Sequence, residues 1–314
     1  MPDPLWRVET RQIRGKKRVL HIPHPELREL QKRIDQIAKD LYRPLPGITI
    51  TGGVKDHSPV TNALIHFDQR DGENELYFLK IDLKDAYASI RPSGVAEDIL
   101  ETVRKRGVEW SAREMTRYLM APSGGLAFGA ASSPALFNLY LHPLDEALSY
   151  LALAERLTIT RYYDDIWFSS PLPITRLLRR EITDLITKAR RAFSINPKKA
   201  GMYTHPDQDV VITGVMLRRD GSIGLPRSVL KQMQGFLHLA MRDNLPSSMV
   251  GGRMGFFRQV WRSARFRDIP PTNLELQVLR AYWRYQTAQR RKKREVKPVA
   301  LPMHNARGQF EFTF

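Results

Sequence analysis

The sequence predicts an α+β protein. Three observations lead there: strand-length apolar runs around residues 76–83 and 157–170, stretches whose apolar residues recur every three or four positions, and a tail after Pro226 that reads as helix almost throughout. A hydrophobic fraction of 42%, with 13 Phe, 11 Tyr and 5 Trp, gives these elements a core to pack and excludes a wholly disordered chain.

The elements follow in order. Leu5–Thr10 and Arg18–Ile22 read as two short basic strands joined through Gly15. Pro25 suits the first turn of a helix, in which Leu27, Leu30, Ile34, Ile37 and Leu41 form one apolar face. Pro44–Gly53 is a Pro/Gly loop, and a second helix is expected over Pro59–Phe67. Leu76–Leu83 has the length and apolar character of a central strand buried on both faces. Helices are expected at Ser93–Arg106, Ser111–Met120 and Ser133–Ala152. Strands follow at Leu157–Tyr163 and Ile166–Ser170, meeting at Asp164-Asp165, then an Arg-rich helix at Ile174–Phe193 and one strand at Val210–Leu217. In the tail, Gly251-Gly252 and Pro270-Pro271 read as helix breaks, and Thr272 and Glu275 have capping-box spacing. Leu274, Val278, Tyr282 and Tyr285 then line one face, and the run Arg290-Arg-Lys-Lys-Arg294 is either a solvated helix end or a nucleic-acid contact.

Charge narrows the partners. With 50 Lys and Arg against 33 Asp and Glu, the chain carries +17, a field that attracts polyanions. The absence of cysteine excludes disulfides, thiolate nucleophiles and Cys-based metal sites. Met1-Pro2-Asp3-Pro4 lacks the basic and apolar regions of a secretory signal, and residues 124–144 are interrupted by Ser, Pro, Asn and His. The expectation is a cytoplasmic protein that does not engage membranes.

The chemistry concentrates in carboxylates. An isolated Asp164-Asp165 pair would read simply as a turn. Asp82 changes that reading, because it ends a buried strand, where a charge is expensive unless paired or bound to a cation. A strand end carrying Asp82 beside a hairpin turn carrying Asp164 and Asp165 gathers three hard oxygen donors, which favour Mg²⁺ or Mn²⁺. Two such ions can activate an attacking hydroxyl and stabilise a leaving pyrophosphate, the chemistry of a polymerase.

At these residues the chain resembles reverse transcriptases. Asp82-Leu-Lys-Asp-Ala-Tyr87 is similar to their motif A and Tyr162-Tyr163-Asp164-Asp165 to their Tyr-x-Asp-Asp box. Gly129 with Ser133-Pro134 and Asn138 is similar to motif B, Asn196-Pro-Lys-Lys199 to the motif D lysine region, and Ile212-Thr213-Gly214 to the strand that follows. Within that family the chain most resembles bacterial retron reverse transcriptases, through Asn62-Ala-Leu-Ile-His66 and Ile212-Thr-Gly214; other defence-associated reverse transcriptases stay open. One departure stands out: motif B usually begins Leu-Pro-Gln-Gly, but here it is Leu126-Ala-Phe-Gly129, so Phe128 replaces the Gln.

The resemblance implies a right-hand polymerase fold: fingers over 1–75, a palm over 76–225 with inserted fingers helices at about 93–125, and a helical thumb with a basic tail over 226–314. It implies Asp82, Asp164 and Asp165 as catalytic metal ligands for two Mg²⁺ ions, with the Leu83 carbonyl completing the nucleotide-side metal. Tyr87 would lie beneath the incoming sugar, Arg18 on the triphosphate, and Lys199 on the leaving pyrophosphate or merely in solvent. Phe128, Gly129 and Ser133 would line the nucleotide. RNA contacts are expected from Asn62, His66, Thr213 and Gly214, with a helix cap and a satisfied histidine as the alternative for Asn62 and His66. In the thumb, Arg253, Arg258 and Arg262 alternate with Phe257 and Trp261, either as a basic side tracking RNA or as the outer side of a core face. The Arg176, Arg179, Arg180, Arg190, Arg191 face is open in the same way. The implied partners are a non-coding RNA template and primer, its DNA product, dNTPs, and an effector protein that the sequence does not identify. The competing readings are a template-relaxed palm polymerase and a non-catalytic RNA-binding subunit.

Overall fold

A computed structural model describes residues 5–13, 16–69, 76–91, 104–107, 110–122, 124–188, 193–204 and 208–295. Most of the helix expected at Ser93–Arg106, together with Gly15, Arg190, Arg191 and the chain from 296 on, lies outside the described residues. The chain divides into two units, Met1–Ile223 and Gly224–Phe314.

The first unit opens on an antiparallel hairpin of β1 (Trp6–Ile13) and β2 (Lys16–Pro23), in which Arg11 pairs with Arg18. Helix α1 (Pro25–Leu41) has Pro25 in its first turn, where the missing N–H costs nothing, and it buries Leu27, Ile34 and Ile37. The Pro/Gly loop that follows holds a short strand that the sequence did not signal, β3 (Ile48–Ile50). Helix α2 (Pro59–Phe67) starts at Ser58 in a reciprocal capping box with Thr61.

The centre is a five-stranded sheet in the order β3-β5-β6-β4-β7. Its other strands are β4 (Tyr77–Asp82), β5 (Thr158–Tyr162), β6 (Asp165–Ser170) and β7 (Gly201–Thr204), the last also unforeseen. Alternation assigns the two faces. Leu79, Ile81, Ile159, Ile166 and Phe168 share one face and join the main core with residues of α1 and of the long helix described next. Lys80, Asp82, Thr160, Asp165, Trp167 and Ser169 share the other face, where α2 packs on β5.

Between β4 and β5 run a single-turn helix, α3 (Ala86–Ser89), then α4 (Ala112–Leu119), capped by Ser111 and Glu114, and α5 (Ser133–Glu155), which continues through Pro143. Helix α6 (Arg176–Lys188) buries Ile182 and Ile186. The single strand expected at Val210–Leu217 is instead a hairpin of β8 (Val210–Ile212) and β9 (Val215–Leu217). Thr213 (φ 48°) and Gly214 (φ 91°) both take left-handed backbone, the conformation that a tight two-residue hairpin turn requires.

The chain enters the second unit within β10 (Ile223–Gly224). That unit holds α7 (Arg227–Arg242), α8 (Ser247–Phe266) and α9 (Asn273–Glu295). The expected break at Gly251-Gly252 does not occur. Val250, Met254, Phe257 and Val260 are all buried, so packing of this stripe holds the helix through both glycines. The break falls instead at 243–246, where Asn244 is left-handed. Helix α9 begins at the expected box, with Glu275 accepting from the Thr272 amide and hydroxyl.

Candidate active site

The β5–β6 hairpin turns at Tyr163 and Asp164, with Tyr163 in the left-handed region (φ 56°). The turn frees Asp164 from strand alternation, while Asp165 begins β6 directly opposite Asp82 at the end of β4. Leu83 donates its amide to the Asp164 carbonyl at 2.9 Å, tying the strand end to the turn. Burial, then the charges of Asp165 and Asp82, push the Asp164 carboxyl above its usual range. Burial also raises Asp165, opposed by Lys80.

These charges are answered by lysines. Lys199 sits 2.5 Å from Asp82 Oδ2, and Lys80 lies 3.0 Å from Asp165 Oδ1 and over the Trp167 ring. Asn196 donates Nδ2–H to Asp82 Oδ1 at 3.0 Å. Lys199 is thus neither free in solvent nor poised on a distant anion, but paired with Asp82. Among the described residues no three acidic or histidine side chains converge as a ready-made metal cage. Asp82 and Asp165 thus each carry a lysine counter-charge, with Asp164 beside them, as like charges at this spacing require. An all-oxygen donor set whose members repel one another fits a hard divalent cation.

The turn is gripped from the opposite face of the sheet. Arg161, fully buried, donates Nε–H to Asp145 Oδ1 (2.8 Å) and Nη2–H to Oδ2 (2.6 Å). Its Nη1 donates to Asn138 Oδ1 (3.1 Å) and to the Tyr163 carbonyl (3.2 Å). Burial alone would lower the Arg161 pKa, but Asp145 overrides it and holds the guanidinium charged. Asn138 donates to the Gly52 carbonyl at 2.8 Å. Gly52 is required here: a Cβ would lie 2.4 Å from the Tyr163 nitrogen.

The residues expected around a nucleotide lie together in part. Tyr87 stacks on Phe137 (4.8 Å, 8°) and meets the edge of Phe128 at 6.0 Å. Phe128 is 39% exposed, and the Arg18 guanidinium lies over its ring at 5.7 Å. His21 donates its amide to the Phe128 carbonyl, and Gly129 (φ 116°) passes where a Cβ would be 3.1 Å from the His21 carbonyl, so the β1–β2 hairpin and this loop are locked together. Ser133 is the exception. It is buried, and its hydroxyl donates to the Ala127 carbonyl at 2.7 Å, so it caps the loop and does not line the cleft.

Residues 8–241 match the family described as reverse transcriptase (RNA-dependent DNA polymerase). The chain belongs to that family. Among curated relatives, it is 27% identical over 266 residues to the Retron Mx162 reverse transcriptase of Myxococcus xanthus, covering 74% of this chain and 51% of that one. It is 26% identical over 251 residues to the Retron Ec73 reverse transcriptase of Escherichia coli, covering 76% of each. It therefore spans about half the length of the first relative and three quarters of the second. A telomerase from Candida albicans, solved with a TWJ fragment of telomeric RNA, superposes with TM-score 0.50 at 13% identity over 90% of this chain and 56% of that one. That likeness extends to the fold, the right-hand polymerase architecture.

Two expected RNA contacts are corrected. Asn62 and His66 have no exposed surface. Asn62 accepts from the Thr51 hydroxyl, and the His66 ring lies between the Ser169 hydroxyl (2.7 Å) and the Thr160 hydroxyl (2.8 Å). They rivet α2 to the palm sheet. Thr213 donates its hydroxyl to the Pro59 carbonyl, so the Thr213-Gly214 turn is docked on the start of the same helix. Arg253, Arg258 and Arg262 are exposed on α8, with Arg253 over Phe236 and Arg258 over Tyr282. No described helix is long and apolar enough to cross a membrane.

Sequence reasoning gave no role to Lys80 or to the Arg161–Asp145 pair, and it placed Asn196 in the motif D element without its bond to Asp82. Lys80 was accessible to it, because a residue two before Asp82 on a strand shares its face. Nothing marked Asp145, one of three acidic residues on a long, mostly apolar helix.

Proposed function

We propose that the chain is an RNA-directed DNA polymerase that copies part of a structured non-coding RNA into single-stranded DNA, as a retron component acting in antiviral defence in the cytoplasm. The observation that carries this reading is the juxtaposition of Asp82 with the Asp164-Asp165 turn in a chain of this family whose curated relatives are retron enzymes. Asp82, Asp164, Asp165 and the Leu83 carbonyl are the groups that would hold two Mg²⁺ ions, with Mn²⁺ as a substitute. Bound there, such ions activate the primer hydroxyl and neutralise charge on the departing pyrophosphate.

The protein's own groups do the rest. Arg18 presents a planar fork to phosphate oxygens. Tyr87, fixed against Phe137, occupies the space that a 2′-hydroxyl would need, which selects dNTPs. Lys199, the counter-charge of Asp82, is the group that would meet the leaving pyrophosphate were a divalent ion held at Asp82. The +17 charge attracts the RNA and makes its binding salt-dependent.

The test is Asp164→Asn, which removes a ligand without adding bulk. Loss of primer extension in Mg²⁺ with RNA binding retained is the expected result, and extension at the wild-type rate overturns the assignment. Sequencing the nucleic acid that co-purifies with the protein identifies the template.

A further inference from the structure

The Arg161–Asp145 pair is costly to keep. Both side chains are fully buried, and replacing such a pair by apolar residues of similar volume is often neutral or stabilising for a fold. An apolar pair would fill the core, yet it could not do one thing this pair does. Arg161 Nη1 donates a charged hydrogen bond to the carbonyl of Tyr163, the bulky residue that the turn forces into left-handed backbone. The grip is anchored from several sides. Asp145 on α5 fixes two nitrogens of the guanidinium, and Asn138 on the same helix shares the third. The Arg161 carbonyl in turn accepts from the Thr51 amide, and the Tyr42 hydroxyl donates to Asp145. The residues after Tyr163 are Asp164 and Asp165, so any relaxation at Tyr163 turns both carboxylates.

We propose that Arg161, anchored by Asp145, is a positioning residue that sets the catalytic turn from behind, and that this is why a charged pair is kept at this depth. The inference rests on the polymerase reading, deepening it by naming what aims its metal ligands. Arg161 is fully buried, with no surface to offer a substrate. It acts through the Tyr163 carbonyl.

The experiment compares wild type, Arg161→Met, the double variant Arg161→Met/Asp145→Leu, and Arg161→Lys. Three quantities are read on each: the thermal unfolding midpoint, Mn²⁺ binding counted by electron paramagnetic resonance of the free ion, and kcat for dNTP incorporation on a primed RNA template. Arg161→Met strands the Asp145 charge and lowers the midpoint. The double variant brings the midpoint back toward wild type, while its Mn²⁺ affinity and kcat stay depressed, kcat by roughly ten- to hundredfold, as small misplacements of reacting groups produce. Should the double variant not fold, Arg161→Lys carries the test: it keeps a cation for Asp145 but loses the fork that reaches Tyr163, so Mn²⁺ binding weakens in a folded protein. A folded double or Lys variant with wild-type Mn²⁺ affinity and kcat overturns the inference. If wild type incorporates no nucleotide, the polymerase reading fails, and the Mn²⁺ measurements still decide whether Arg161 aims the carboxylates.

Discussion

His66 supplies a quantitative test of what the α2 helix is for. Burial pushes its imidazole down to about 3, against 6.5 for an exposed histidine, so the native protein keeps it neutral between two hydroxyls. The folded pKa is depressed. Between pH 6.5 and about 3 the unfolded chain therefore binds a proton that the native state refuses, and stability falls as the pH drops through that window. The slope is about 1.4 kcal/mol per pH unit for one group, so moving from pH 6.5 to pH 5 removes about 2 kcal/mol. His66→Gln keeps an amide to bridge Ser169 and Thr160 but has nothing to titrate. It is expected to be less stable than wild type at pH 7 by about 1–3 kcal/mol, from imperfect hydrogen bonding, with the gap closing by about 2 kcal/mol at pH 5. Urea unfolding of both proteins at the two pH values, at fixed ionic strength, measures the gap; all other titrating groups are common to the pair and cancel. A gap that does not change with pH refutes the buried, neutral histidine. RNA affinity at pH 7 should be the same in both folded proteins, since the ring touches only palm side chains.

Three further outcomes follow from the cleft. Tyr87→Ala should admit ribonucleotides, because it removes the ring stacked on Phe137 that is the proposed sugar gate; unchanged dNTP over rNTP preference in a competition assay places the gate elsewhere. Phe128→Leu should raise the KM for dNTP roughly two- to fivefold, the value of an exposed cation–aromatic contact to Arg18, and should have little added effect in an Arg18→Ala background when the two are combined in steady-state assays. Gly52→Ala should displace the Tyr163 turn and cost about 1–3 kcal/mol by overpacking, read as a lower unfolding midpoint with a disproportionate loss of primer extension; a variant with wild-type activity shows that the turn tolerates movement.

The palm was legible where period and position coincide. The runs that became β4, β5 and β6 were visible because strands buried on both faces read as continuous apolar stretches, and the Asp164-Asp165 turn interrupts one of them with charge. Strands β3 and β7 were not, since three or four residues such as Gly201–Thr204 carry no period, and their pairing with β5 and β4 is supplied by distant chain. The β8–β9 hairpin was read as one strand because its turn is Thr-Gly, lacking the Asn or Asp that usually announces such a turn. Gly251-Gly252 misled in the opposite direction, as local propensity yielded to the packing of Met254 and Phe257. His66 and Asn62 were assigned outward because a motif marks which residues matter without saying which way they point. The buried Arg161–Asp145 pair joins residues 16 apart in sequence on a helix and a strand, and only their packing reveals that they meet.

The pairing of Lys199 with Asp82 has a consequence for synthesis of the chain. The two residues are 117 positions apart, so at ribosomal speeds of about 5–20 residues per second a nascent chain carries Asp82 for roughly 6–23 s before its counter-charge is made. The β5–β6 hairpin closes locally, but β4 does not receive its outer neighbour β7 until Thr204 has been added. Asp82 is therefore born early and balanced late, whereas Asp165 follows its counter-charge Lys80 in the chain, and no truncated product ending before Lys199 carries the ammonium that balances Asp82.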